Sequence, residues 1–299
     1  MAEALKFHIF MEDTFTSNFE EEAHIYVKHY IPKEGISDKK KYIHFIFQHG
    51  MIEYHQRHEE FFHALLNHFK SDIVISVMDL LGHGLSGGHR AYVDKFETYC
   101  LDMVKFFGVC EKLLPGKQVE KRILGSHSLG GLITLRTVVS EEYELPFTFD
   151  KLIFINPCIG QKVKLPKGSL ALAKNIPPLM RKIRFPLIYN AYDLTSDQDK
   201  AIGFMHDHLI SKSVSIKLGM ETVKATEGIN KLSYFAKIPS LFILSGDDRV
   251  VDNQKAQLFI TGMDKELVSV KSYPKMKHDI LNDTCRSDVF KEIIKYIKK

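Results

Sequence analysis

Short apolar runs alternate with amphipathic stretches along most of the chain. Residues 6–11 and 22–32 read as two strands forming a hairpin. Ile43–Phe47 predicts a compact apolar strand ending at His49 and Gly50. Residues 55–69 have helical spacing, 72–78 predict another apolar strand, and 91–113 predict a long amphipathic helix. A strand over 119–124 and a helix over 132–139 flank a Ser/Gly-rich turn. Strands over 151–155, 240–244 and 267–273 follow, with helices between and after. Strands that are apolar throughout are buried on both faces. In alternation with helices they predict an α/β chain with a mostly parallel, doubly wound sheet.

Residues 157–235 break this rhythm. The segment is helical in character, contains Pro177-Pro178 and a polar stretch at 195–199, and is too long for an ordinary connection between strands. It predicts an inserted helical cap, with residues 1–156 and 236–299 forming the core.

Composition narrows the class. The chain has 299 residues, 44% hydrophobic and 26% charged, enough for a sizeable core. No apolar run has the length of a membrane span. The first eight residues lack the apolar core of a secretory signal, and Cys100, Cys110, Cys158 and Cys285 have no metal-ligand spacing. A cytoplasmic protein with free thiols is expected. A formal charge of +4, without any nucleic-acid motif, argues against a nucleic-acid partner. The charge is uneven. Residues 161–186 carry seven Lys or Arg and no acid, leaving about −3 (4 less 7) for the remainder.

The candidate chemistry centres on Ser128. It lies between a predicted strand and a predicted helix, with Ser126 two residues before it and Gly130 two after. Small residues at these positions are what a nucleophile elbow needs, because the strand and helix approach closely around a sharp turn. Ser126 departs from the usual glycine by a hydroxymethyl group. A serine hydroxyl needs a base, and the base needs an orienting carboxylate, in chain order Ser, acid, His on this kind of fold. Asp247, Asp248 and Asp252 all follow the 240–244 strand, and His278 lies in a loop after the last strand. The oxyanion hole needs two backbone N–H donors. Leu129, directly after the serine, and Met51, after the early strand, are the candidates.

These pieces together resemble the monoacylglycerol lipase and lysophospholipase group of α/β-hydrolases. The matching residues are His49-Gly50, the D-x-x-G-H-G-x-S string from Asp79 to Ser86, and His127-Ser128-Leu129-Gly130-Gly131. Gly246-Asp247-Asp248-Arg249 and His278 complete them. Asp207-His208-Leu209 is similar to an Asp-Pro-Leu string of the group, with His208 in place of proline. The resemblance implies an α/β-hydrolase fold over residues 20–295 and selects Asp248 as the acid. It also implies a serine esterase acting on monoacylglycerol or lysophospholipid, without cofactor or metal.

Competing readings are specific. His83 precedes Ser128 and is out of order for a triad, so it is read as structural. His55, His58, His63 and His68 have spacings of three, five and five, which do not stack ligands on one helical face. An acyltransferase would share the first half-reaction, and a catalytically inactive binding protein could occupy the same fold. The basic segment interleaves cations with Val163, Leu165, Leu170, Leu172, Ile176 and Phe185. That pattern suits peripheral contact of the cap with a membrane.

Overall fold

The strands predicted from apolar runs assemble into one twisted layer. The computed structural model describes residues 7–18, 23–162 and 177–299. In chain order its strands are β1 (His8–Thr16), β2 (His24–Pro32), β3 (Tyr42–Gln48), β4 (Ile73–Met78), β5 (Val119–His127) and β6 (Lys151–Ile155). A short pair, β7 (Arg184–Pro186) and β8 (Ser213–Ser215), precedes β9 (Ser240–Ser245) and β10 (Val268–Tyr273). Eight of these form a single sheet in the order β1-β2-β4-β3-β5-β6-β9-β10. The pairings from β4 through β10 are parallel, while β1 and β2 form the predicted antiparallel hairpin on one edge.

Every residue of β3, β4 and β9 is buried, as continuous apolar strands require. Successive side chains go to opposite faces. Ile46, Leu152, Phe154, Phe242 and Leu244 pack with Phe106 and Phe107 of α2 (Phe96–Leu113) on one side. Phe45, Phe47, Ile153, Leu241 and Ile243 pack on the other with Phe61 and Phe62 of α1 (Glu59–Phe69) and Ile293 of the C-terminal helix (Arg286–Lys298). This is the doubly wound α/β-hydrolase arrangement.

Two expectations need correction. The helix predicted from residue 91 begins at Phe96. Residues 91–95 are drawn into tertiary bonds instead: Ala91 takes a left-handed φ of 51°, donates to the Gly82 carbonyl and accepts from Ser215 N–H. No side chain next to the helix caps it. Its Phe96 N–H donates to the Glu221 carboxylate, 125 residues away in sequence. The segment between β6 and β9 is also not purely helical. It holds helices over Ala191–Leu194, Gln198–His206 and Ile216–Thr226, together with the β7–β8 pair. Within the basic stretch, Lys164, Lys167 and Lys174, and the apolar residues from Val163 to Ile176, lie outside the described residues.

Candidate active site

The strand β5 ends at His127 and a helix begins at Leu129, leaving Ser128 alone at the turn with φ 50° and ψ −116°. This left-handed conformation is costly for a residue with a Cβ, and it presents the side chain at the top of the sheet. Gly130 is required there, because any Cβ would press into the backbone carbonyls of Gln48 and His49. Ser126 is accommodated without strain on the pattern: it is fully buried, and its hydroxyl donates to the Ile153 carbonyl at 3.3 Å.

Three residues distant in sequence meet at this point. Ser128 Oγ lies 2.9 Å from His278 Nε2, and His278 Nδ1 lies 2.7 Å from Asp248 Oδ2. The second bond fixes the tautomer: Nδ1–H donates to the carboxylate, so Nε2 is free to accept the serine proton. The other Asp248 oxygen accepts from the N–H groups of Val250 and Val251 at 2.8 and 2.9 Å. Burial alone would raise the carboxyl pKa, but His278 and these amides hold it below its ordinary value. Asp247 is exposed, and Asp252 accepts from Gln254 N–H as the N-cap of a helix. Neither reaches His278.

The predicted oxyanion donors flank the serine. Leu129 N–H opens the helix after Ser128, a position with no intrahelical partner. Met51 lines the same cavity as Ser128 and His278. Its loop is pressed against the nucleophile: a Cβ at Gly50 would stand 2.9 Å from Ser128 Cβ. His49 anchors that loop, bonding the Gly50 carbonyl through Nδ1 at 2.8 Å and accepting Leu80 N–H on Nε2 at 2.9 Å.

Beneath the triad lies a buried network that no sequence motif reveals. Glu53 Oε1 accepts from Gly50 N–H at 2.5 Å and from His127 Nδ1 at 2.6 Å. His127 Nε2 reaches the His278 carbonyl at 3.2 Å, where Asn156 Nδ2 also donates at 2.7 Å. Burial would lower the His127 pKa, but the charge and hydrogen bond of Glu53 override it and raise the value to about 9. His58, one of the four histidines whose spacing argues against a shared metal site, stands 3.3 Å from the same Glu53 oxygen. Glu53, His58 and His127 are the one group of metal-ligating type among the described residues. A hydrogen-bonded ion pair already joins two of its members.

The other motif residues shape loops. Asp79 accepts from His55 N–H at 2.8 Å and Leu85 N–H at 2.9 Å, and Ser86 Oγ donates to the Asp79 carbonyl. His83 bonds the Leu81 carbonyl of its own loop, and burial lowers its pKa to about 3. In the 157–235 segment, Asp207 accepts the Tyr54 hydroxyl at 2.8 Å and Leu209 N–H at 2.9 Å, so it pins this insertion to the loop after β3. His208 is exposed.

A cavity of about 720 Å³ opens beside Ser128. One wall comes from the sheet side, including Met51, Leu129 and Val251, and another from the insertion, including Phe185, Phe204 and Ile216. The lining is dominated by apolar side chains. Among the described residues it contains Glu53 and Asp279 but no Lys or Arg.

A mostly parallel sheet with this turn, cavity and insertion defines an α/β-hydrolase of the lipase and esterase type. A family model described as serine aminopeptidase, S33 (Hydrolase_4) matches residues 39–285, and the chain belongs to that family. Phospholipase YtpA of Bacillus subtilis (strain 168) is 24% identical over 251 residues, covering 81% of this chain and 90% of that protein. Monoglyceride lipase of Homo sapiens is 24% identical over 255 residues, covering 84% and 80%. Among solved structures, Paleococcus ferrophilus monoacylglycerol lipase aligns with a TM-score of 0.74 at 19% identity, covering 97% of this chain and 98% of the other. A soluble variant of Saccharomyces cerevisiae monoglyceride lipase, solved with a substrate analog, gives 0.75 at 16%, covering 98% and 95%. The chain is thus an α/β-hydrolase of the monoglyceride lipase and phospholipase type.

Proposed function

We propose that the protein hydrolyses carboxylic esters of long-chain acids through an acyl-serine intermediate. Ser128 Oγ attacks the ester carbonyl as its proton passes to His278 Nε2. Asp248 stabilises the imidazolium through Nδ1–H. The Met51 and Leu129 N–H groups receive the oxyanion. Collapse breaks the bond to the alkoxy oxygen, which leaves as the alcohol with the proton from Nε2. Water then attacks the acyl-serine by the same relay, giving the acid and restoring Ser128. The observation that carries this reading is the continuous Ser128–His278–Asp248 chain at 2.9 and 2.7 Å on the wall of an apolar cavity.

The cavity also speaks to the head group. An apolar lining suits an acyl chain. Among the described residues a phosphate buried there would find no lining Lys or Arg, and the lining acids Glu53 and Asp279 are already paired with His127 and Arg57. Between the two ester classes expected from sequence, this favours monoacylglycerol over lysophospholipid. The test is hydrolysis by pure protein of monoacylglycerols of graded chain length, beside the matching lysophospholipids.

The 157–235 insertion acts in this reading as a lid that takes substrate from a lipid surface. Among the described residues no helix is long and apolar enough to cross a membrane. Phe185, in the described part of the basic segment with Arg181, Lys182 and Arg184, and Ile188 just after it are nevertheless 54% and 78% exposed. Both apolar side chains also line the cavity. Peripheral docking through them would place the cavity mouth at the headgroup boundary.

A further inference from the structure

The backbone that carries His278 is held at three successive residues by groups outside the triad. Lys277 N–H donates to Asp283 Oδ2 at 2.9 Å, the His278 carbonyl accepts from Asn156 Nδ2 at 2.7 Å, and Asp279 N–H donates to the Leu194 carbonyl at 2.8 Å. Leu194 belongs to the insertion, at the end of its helix Ala191–Leu194. The next two residues of the insertion bond the same loop. Thr195 Oγ1 donates to the Asn282 carbonyl at 2.9 Å, and Ser196 N–H donates to Asp283 Oδ1 at 2.9 Å.

Asp283 stands where these connections meet. It is fully buried, and its two carboxylate oxygens accept three backbone amides: those of Lys277, Ser196 and, at 2.8 Å, Thr284. One amide directly precedes the general base, one comes from the insertion, and one closes the turn of the loop itself. Taking a carboxylate out of water is costly, so packing alone would not select an acid here. What the acid supplies is acceptor capacity. Its two oxygens have room for three N–H donors and carry no donor of their own to clash with them.

We propose that Asp283 is a positioning residue for the general base, fastening the His278 loop to the insertion so that Nε2 stays on Ser128 Oγ. The role rests on the ester-hydrolase reading and adds to it a link between the seat of the insertion and the alignment of the triad. Reaction rates are steep in such alignment, since a shift of about 1 Å at a reacting group costs about a hundredfold. Asp283 does not line the cavity. Its loss should therefore act on turnover, through His278, and spare binding of the acyl chain.

The test measures kcat and KM on monobutyrin, a water-soluble monoacylglycerol, together with the rate of fluorophosphonate labelling. Asp283→Asn keeps the side-chain shape but turns an amide donor toward one of the bound N–H groups, and Asp283→Ala removes all three bonds. Both variants should lower kcat and the labelling rate by about ten- to hundredfold, with KM within about twofold of wild type. Glu221→Gln is the control. Glu221 also joins the insertion to the core, through Phe96 N–H, but it bonds no residue of the His278 loop. That variant should melt at a lower temperature and keep kcat near wild type. Assays run well below each melting temperature, and Asp283→Asn alone decides the matter if Asp283→Ala does not fold. Unchanged kcat in Asp283→Asn, a rise in KM alone, or an equal fall of kcat in Glu221→Gln would overturn the positioning role while leaving ester hydrolysis standing. A wild type that neither turns over ester nor takes the label would remove the hydrolase reading, and the positioning role with it.

Discussion

Glu53 and His127 form a buried ion pair at 2.6 Å whose two ends reach opposite sides of the candidate active site. Glu53 also receives Gly50 N–H, in the loop that carries Met51, and His127 also reaches the carbonyl of His278. One hub thus ties the expected oxyanion loop to the expected general base. Its effect should be visible in both stability and pH dependence.

The pH dependence follows from sign. His127 is raised from its ordinary 6.5 to about 9 in the folded protein. The stability it contributes is fully present below pH 6.5 and is lost as pH rises through about 9. The amount is on the order of 3 kcal/mol, shared with Glu53 and not additional to it. Melting temperature should therefore decline between pH 7 and 9.5. The double variant Glu53→Gln/His127→Gln should be flat across that window. A wild-type profile without the decline would show that His127 is not an imidazolium in the folded state.

On the acid side, His29 is wholly buried against Ser76, and burial lowers its pKa to about 4. Here the unfolded chain binds the proton more readily, so stability is present above pH 6.5 and falls as pH drops toward 4. Native-state urea titrations at pH 7 and pH 4.5 should show a lower midpoint at pH 4.5. His29→Gln should narrow the difference, and an undiminished difference in that variant would assign the effect elsewhere.

The three acids after β9 should separate by the property each variant changes. Asp248→Asn should cost about 10⁴ in kcat, because the amide can no longer hold the imidazole tautomer. Asp247→Asn should leave kcat near wild type. Asp252→Ala should instead cost about 1 kcal/mol of stability through loss of its helix cap, with little change in kcat. Full activity in Asp248→Asn would contradict the assignment.

Much of this arrangement is legible in the sequence, for reasons that particular elements make plain. The central strands are fully buried, so their apolar runs stand out, and Ser128, Asp248 and His278 follow a fixed chain order. What stays hidden depends on contacts made across long separations. Helix α2 starts at Phe96 because Glu221 satisfies its first amide, and no local residue signals that. Glu53 is an ordinary glutamate in sequence, and only folding places it beside His127, 74 residues on. The short β7–β8 pair is equally silent, since three-residue strands carry too little pattern to detect.

Lipid contact through the insertion makes a separate prediction. Each cation near an anionic surface contributes about 1 kcal/mol. Changing Arg181, Lys182 and Arg184 to Glu should therefore weaken co-sedimentation with anionic vesicles by at least tenfold and leave neutral vesicles unaffected. Equal binding by wild type to both vesicle types would return these residues to a solvated surface.

The most direct test of the catalytic account is the mass and position of a fluorophosphonate adduct on the purified protein. An activated serine is phosphonylated once, and the account predicts a single adduct on Ser128. It also predicts no adduct in a Ser128→Ala variant that retains the wild-type melting temperature. Absence of labelling in the wild type, or an adduct that persists in Ser128→Ala, would contradict it.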